Sequence, residues 1–189
     1  MTLRIIAGAL KGKKLDTIDG KKVRPTSGKV REAVYSIIST QISDAIVLDL
    51  FAGTGAMGIE AISRGANKSI FIDNFTNSLS TIKKNVTKCR IENQSSIIKW
   101  DILRNLSCIS YDKPLFDIVF IDPPYGKNIV NQVLTNLHMS KCLKPEALII
   151  VEHSKEENIL NEYIDFKRYD QRKYGQTFVS FYNIELKKQ

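Results

Sequence analysis

The sequence predicts an α/β fold in which a mostly parallel sheet is covered by helices on both faces. From about residue 45 onward, short apolar runs alternate with longer segments whose apolar residues recur at helical spacing. A glycine-rich turn joins the first run to the first of these helices. Repeated strand–helix units form parallel sheets, and ligands bind outside the carboxyl ends of their strands.

The N-terminal segment is predicted to be a small basic hairpin. An apolar strand at 3–7, turns at Gly8 and Gly12, and a partner strand at 13–15 form its pattern. Residues 1–40 contain nine Lys or Arg and three Asp or Glu, so they carry +6 of the net charge of +8. This charge indicates either a surface for nucleic-acid phosphates or a solvated basic face.

The remaining elements follow in order. Thr26 or Ser27 is predicted to cap a helix running to about residue 40, with Arg31 exposed off its apolar stripe. We then predict strands at 46–50, 69–72, 96–100, 116–121 and 147–152, helices ending near residues 64, 89 and 140, and a final hairpin with strands near 166–169 and 178–186.

Length and composition exclude several classes of protein. The 189 residues suffice for one domain. No apolar run approaches the ~18 residues of a membrane helix, and the N-terminal charge order is not that of a signal peptide. Three cysteines without a CxxC pair indicate reduced thiols and a cytoplasmic protein. His138 and His153 lack partners at ligand spacing, so we expect no metal site.

A glycine motif follows the first strand of the predicted sheet. Gly53, Gly55 and Gly58 form G-x-G-x-x-G, which lets the backbone turn tightly and approach a ligand closely. Asp73 ends the next strand, where a carboxylate can accept hydrogen bonds from both ribose hydroxyls of a nucleoside. The pattern favours a nucleoside-containing cofactor over a loop that merely turns the chain.

Asp49, at the strand end just before the glycines, favours S-adenosylmethionine over a dinucleotide cofactor. A carboxylate there would repel a pyrophosphate, which dinucleotide sites hold at a helix N-terminus. It would attract the ammonium and sulfonium groups of S-adenosylmethionine. Asp101, just past the third strand, is a candidate contact for the adenine amine, and a solvated loop acid is an equally good interpretation.

The sequence Asp122-Pro123-Pro124-Tyr125 directly follows the fourth predicted strand. Two prolines fix a stiff turn without N–H donors, leaving Asp122 and the Pro123 carbonyl as acceptors. They could accept the protons of an exocyclic amine and so rehybridise a weakly nucleophilic nitrogen. Tyr125 offers a ring for a base to stack on. A surface turn would be the simpler interpretation if this motif stood alone.

These motifs resemble those of class I S-adenosylmethionine-dependent methyltransferases, and more narrowly the bacterial 16S ribosomal RNA guanine-N2 methyltransferase family. The resemblance spans nearly the whole chain. Lys29 stands where the family often has Arg, and Tyr125 where Phe is also common. Besides the D-P-P-Y box, the matching segments are 4–8, 11–15, the R-P-T signature at 24–26, 30–34, 49–58, 151–153 and 174–177.

The resemblance implies a Rossmann-like fold with a seven-stranded sheet whose last strand is antiparallel. It implies methyl transfer from S-adenosylmethionine to N2 of a guanine in 16S ribosomal RNA, within a small-subunit particle. We expect a cytoplasmic monomer with no metal and no membrane partner. Residues 1–44 are expected to form a basic RNA-binding extension, and residues 45–189 the catalytic domain.

The site residues are expected in three groups. The catalytic group comprises Asp122, Pro123, Pro124 and Tyr125. Cofactor contacts are expected from Asp49, Phe51, Ala52, Gly53, Thr54, Gly55, Asp73, Asn74, Asp101 and Ile102. Contacts to RNA are expected from Arg4, Lys11, Lys13, Arg24, Thr26 and Arg31.

Other functions remain open from the sequence. The same box could methylate adenine N6 in DNA or a glutamine amide in protein. The glycine motif with Asp73 also fits a nicotinamide-dependent dehydrogenase, and the basic charge fits a non-enzymatic RNA-binding module. DNA amino-methyltransferases usually add a target-recognition domain. The basic N-terminal segment of about forty residues leaves no room for one, so ribosomal RNA is favoured.

Overall fold

The computed structural model describes residues 2–18, 27–109, 115–124, 129–157 and 159–185, and eight strands of these segments form one sheet. The strands are β1 (Ile46–Leu50), β2 (Lys68–Asp73), β3 (Ser95–Lys99), β4 (Phe116–Ile121), β5 (Leu143–Ser154), β6 (Glu162–Tyr163), β7 (Phe166–Tyr174) and β8 (Thr177–Ile184). Their order across the sheet is β3-β2-β1-β4-β5-β8-β7-β6. The first five strands pair in parallel, and the β5–β8, β8–β7 and β7–β6 pairs are antiparallel.

The helices lie where the apolar periodicity predicts them. They are α1 (Gly28–Ile37), α2 (Ala56–Ser63), α3 (Thr76–Cys89) and α4 (Val130–Ser140), with a short 3₁₀ turn at Glu92–Gln94. Ser27 caps α1, because its side chain accepts a hydrogen bond from the backbone N–H of Val30 at 3.2 Å. No helix in the described segments is long and apolar enough to cross a bilayer.

The predicted α/β class is confirmed, but the predicted strand number of seven is wrong. The described tail contributes three strands rather than the two of the predicted hairpin, since β6 adds a strand of two residues beyond the β7–β8 hairpin. A strand of two residues has no alternation from which a sequence pattern could predict it. β5 also begins at Leu143 rather than Ala147.

Alternating side chains of the sheet form cores on its two faces. Leu48 and Val119 pack with α4 on one face. Val47 and Phe120 pack with α1 on the other face, where Phe71 packs with α2 and α3. The result is a three-layer arrangement that leaves the carboxyl ends of the strands as an edge between the layers.

The predicted N-terminal hairpin is present as antiparallel pairing too short to count as strands. Arg4 and Lys14 form an isolated bridge, and Gly8 and Gly12 both turn the chain with φ of 81°. The hairpin lies on α2 and α3, and three of its apolar side chains complete the core there: Leu3, Ile5 and Leu15.

Candidate active site

Three predicted acidic residues lie at the carboxyl edge of neighbouring strands. β1 is flanked by β2 and β4, and Asp49 of β1 is in register with Phe71 and Phe120. Asp73 is the last residue of β2, and Asp122 directly follows β4. The order of the strands therefore brings the two sequence motifs to one crevice, where open α/β sheets bind ligands.

The loop after β1 is held in left-handed backbone conformations. Gly53 and Gly55 have φ of 54° and 76°, which glycine adopts at little cost. Phe51 has φ of 58°, a conformation that is strained for an aromatic residue. Strain of this kind persists only where the surroundings enforce it and is concentrated at ligand sites.

Asp49 is a buried carboxyl group aimed at the start of α2. It is 3% exposed, and its Oδ2 accepts a hydrogen bond from the backbone N–H of Gly58 at 3.0 Å. The pKa of Asp49 is raised to about 7, mainly by burial and to a smaller extent by the nearby Asp73 carboxylate, against the lowering effect of the Gly58 hydrogen bond. A cation placed beside Asp49 would therefore displace its proton near neutral pH.

Asp73 ties the glycine loop to the second strand. Its Oδ2 accepts from the backbone N–H of Gly53 at 2.9 Å, and its Oδ1 accepts from Phe75 at 2.8 Å. A carboxylate has about four acceptor positions, so both oxygens keep capacity for hydroxyl donors of a ligand.

Asn85 joins the glycine loop to the N-terminal hairpin, a role that we did not predict. Its fully buried amide nitrogen donates to the carbonyl of Thr54 at 2.9 Å and to that of Asp16 at 3.0 Å. Its Oδ1 accepts from the backbone N–H of Asp16 at 2.7 Å. The sequence gives one sign of this role, because Asn85 is a polar residue within the apolar stripe of α3, between Ile82 and Val86.

The turn after β4 is tied to β1. The backbone N–H of Asp122 donates to the carbonyl of Leu50 at 3.5 Å. Asp122 is half-buried, Pro123 is buried and Pro124 is exposed. The predicted site residues Tyr125, Arg24 and Thr26 lie outside the described residues.

The other predicted cofactor residues differ in their exposure. Asn74 and Asp101 are exposed, and Asp101 accepts a hydrogen bond from the backbone N–H of Leu103 at 3.1 Å. Ala52 is buried at the edge. Ile102 is 2% exposed and packs in the core beneath α4, so its side chain is not available to a ligand at the edge.

The predicted RNA contacts also divide by exposure. Arg4 and Lys11 are exposed and Lys13 is half-buried. The prediction that Arg31 is exposed is wrong, because the hairpin covers it and leaves it 1% exposed. Its Nη2 donates to the carbonyl of Arg4 at 2.6 Å, and its Nε lies 3.5 Å from Glu60 Oε2.

Glu60 is the partner that sequence reasoning missed. This fully buried carboxylate of α2 accepts from the backbone N–H groups of Ile6 at 2.8 Å and Ala7 at 2.9 Å. It also accepts from Nε of Arg64 at 2.9 Å. The hairpin donors lie more than fifty positions away in the chain, so no local pattern could show them.

Comparison with known proteins identifies the family. The family model described as "Conserved hypothetical protein 95" matches residues 3–183. The ribosomal RNA small subunit methyltransferase D of Haemophilus influenzae is 36% identical over 165 residues, covering 84% of this chain and 82% of that protein. The Escherichia coli K12 protein of the same name is 30% identical over 183 residues, covering 97% and 90%.

Solved structures agree with this result. The structure of yhhF from Escherichia coli is similar with a TM-score of 0.85 and 29% identity, covering 98% of this chain and 99% of that one. A conserved hypothetical protein from Streptococcus pyogenes is similar with a TM-score of 0.75 and 28% identity, covering 85% and 98%. The chain therefore belongs to the ribosomal RNA small subunit methyltransferase D family of class I methyltransferases.

Proposed function

We propose that this protein transfers a methyl group from S-adenosylmethionine to N2 of a guanine in the 16S RNA of the small ribosomal subunit. The observation that carries the proposal is the shared edge of β1 and β4. A strained glycine loop follows β1, which contains the buried carboxyl group of Asp49, and the Asp122-Pro123-Pro124 turn follows β4. We expect a cytoplasmic monomer that needs no metal ion.

The residues at the end of β1 suit a cationic cofactor better than a pyrophosphate. The Gly58 N–H at the start of α2, which could otherwise hold a phosphate, already donates to Asp49. A carboxyl group with a pKa raised to about 7 stabilises an ammonium or sulfonium group once it ionises. Asp49 would hold the methionine end and Asp73 the ribose. The cofactor supplies an electrophilic methyl group on a sulfonium.

Asp122 would hold the amine of the target base. The lone pair of an amine on a base ring is delocalised, so the nitrogen is weakly nucleophilic. Acceptance of its protons by Asp122 and the Pro123 carbonyl localises that lone pair and aims the nitrogen along the line of displacement. The amine proton becomes acidic as the bond to carbon forms, so a half-buried carboxylate is a sufficient acceptor. Tyr125 would stack on the base.

The basic hairpin would provide the contact to RNA phosphates. In support, the hairpin packs on α2 and α3 with Arg4 and Lys11 exposed and Lys13 half-buried. We assign no direct RNA contact to Arg31, because its guanidinium faces Glu60 and the Arg4 carbonyl. In this division, residues 1–44 contribute RNA binding and residues 45–189 bind the cofactor and carry out catalysis.

Transfer of a tritiated methyl group to small subunits that lack the modification tests the proposal. We expect Asp122→Asn to lower kcat by about 10²–10⁴-fold while its affinity for S-adenosylhomocysteine stays unchanged. Asp44→Asn is the matched control, since Asp44 is exposed and distant in the fold from the carboxyl edge. Absence of label with the wild-type protein, or equal label with Asp122→Asn, would refute the assignment.

A further inference from the structure

A buried carboxylate that contacts the start of α4 has one oxygen that accepts no hydrogen bond from the residues that the structure describes. Glu157 is 6% exposed, and its Oε1 accepts a long hydrogen bond from the backbone N–H of Val130 at 3.5 Å. Its Oε2 is buried and has no hydrogen-bond partner among the described residues. A buried acceptor in this state destabilises the folded protein, and more so when it is charged, so it needs an explanation.

Glu157 lies on the same side of the sheet edge as the Asp122-Pro123-Pro124 turn. β4 and β5 are parallel neighbours in which Ile121 is paired with Val151, so the segments after both strands leave the same edge. Asp122 follows β4 directly, and Glu157 lies three positions after the last residue of β5. Glu157 contacts α4, which is the next element in the chain after β4 and Asp122. Glu157 is thus on the β4–β5 side of the edge, away from the glycine loop.

The chemistry of Glu157 is complementary to guanine and not to adenine. Guanine carries the N1–H donor next to its exocyclic N2 amine. Adenine has an acceptor nitrogen at the ring position next to its amine. A carboxylate only accepts hydrogen bonds, so it attracts the first arrangement and repels the second. Sites built to bond a polar group reject an analogue that lacks it.

We propose that Glu157 is the residue that selects guanine, by accepting the N1–H of the base whose amine Asp122 holds. This inference rests on the proposed function. Glu157 Oε2 is covered in the structure, so a base reaches it when the start of α4 separates from the segment after β5. The 3.5 Å hydrogen bond from Val130 is the weak contact that this movement breaks.

The test compares guanine with 2-aminopurine at the nucleotide that the wild-type protein modifies. 2-Aminopurine keeps the amine at C2 but has an acceptor in place of N1–H. We expect the wild type to prefer guanine by about 10- to 100-fold in kcat/KM, the discrimination of one good base contact. Glu157→Gln should bring this ratio close to one, because an amide can also donate to the acceptor nitrogen.

Glu156→Gln is the matched control, because Glu156 is the exposed neighbouring carboxylate, and it should keep the wild-type ratio. Equal affinity of both variants for S-adenosylhomocysteine shows that they are folded. A wild-type ratio near one, or an unchanged ratio in Glu157→Gln, overturns the role of Glu157 while leaving the methylation of guanine intact. If the wild type transfers no methyl group to guanine at all, the proposed function fails and this inference fails with it.

Discussion

Two glycines of the N-terminal hairpin offer a controlled way to undock it. Gly8 and Gly12 share the same φ of 81°, so alanine at either position carries the same left-handed strain of about 1–2 kcal/mol. At Gly12 an added Cβ meets no atom within 4 Å. At Gly8 it would overlap the carbonyl oxygen of Ser63 and lie 2.7 Å from the Ser63 hydroxyl oxygen.

The extra cost at Gly8 follows from the contacts that must separate. Ala9 N–H donates to the Ser63 carbonyl at 2.7 Å, and Leu10 N–H donates to the Ser63 hydroxyl at 3.0 Å. The hydroxyl in turn donates to the Ala7 carbonyl at 2.5 Å. Each bond contributes about 0.5–1.5 kcal/mol net, so Gly8→Ala should lower the free energy of unfolding by about 2–4 kcal/mol more than Gly12→Ala.

Denaturant unfolding and RNA binding measure the two consequences. We expect Gly8→Ala to bind small-subunit RNA about tenfold more weakly than Gly12→Ala, because the basic hairpin is displaced from α2. Affinity for S-adenosylhomocysteine should change less, since the hydrogen bonds described between the hairpin and the glycine loop run through Asn85, which belongs to α3 and not to the hairpin. Equal stability and equal RNA affinity of the two variants would refute both the docking and the RNA-binding role of the hairpin.

Three further predictions concern Asp49 and Asn85 on the cofactor side of the edge. Because the pKa of Asp49 is raised to about 7, S-adenosylmethionine should bind more tightly as pH rises from 6 to 8, by up to about tenfold per pH unit. Calorimetry should show this pH dependence in the wild type and not in Asp49→Asn. The same shift means that between about pH 4 and pH 7 the unfolded chain loses the Asp49 proton while the folded protein keeps it. The free energy of unfolding should therefore fall as pH rises through this range, and this fall should be absent in Asp49→Asn. Asn85→Ala should lower the free energy of unfolding by about 1–3 kcal/mol and weaken binding of S-adenosylhomocysteine, whereas the exposed control Asn77→Ala should change neither. A pH-independent affinity in the wild type would contradict the binding prediction for Asp49. An unchanged cofactor affinity in Asn85→Ala would contradict the prediction for Asn85.

The sequence predicts features that depend on neighbours along the chain. Alternating strand and helix patterns located β1 to β4 to within one or two residues, and strand ends then placed Asp49, Asp73 and Asp122 at one edge. Ser27 was among the predicted caps for the same local reason, since a cap bonds a backbone group three residues on.

The sequence does not predict features that depend on distant partners. Arg31 was expected in solvent because its helix position is off the apolar stripe, yet the hairpin supplies a carbonyl 27 residues away to cover it. In the sequence Glu60 is a charged residue among apolar ones in α2. Nothing near it indicates that backbone N–H groups of the hairpin will donate to its carboxylate. Glu157 lies in a short segment without periodicity, so the sequence offers no signal for its burial or for an oxygen that has no hydrogen-bond partner in the described part of the chain.

Nucleoside mass spectrometry of the reaction product tests the central claim most directly. Small subunits lacking the modification are incubated with the protein and S-adenosylmethionine, and the RNA is digested to nucleosides. We expect N2-methylguanosine at one nucleotide of the 16S RNA, formed far more slowly when Asp122→Asn replaces the wild type. N6-methyladenine, a methyl group in protein, or no methylated product would contradict it.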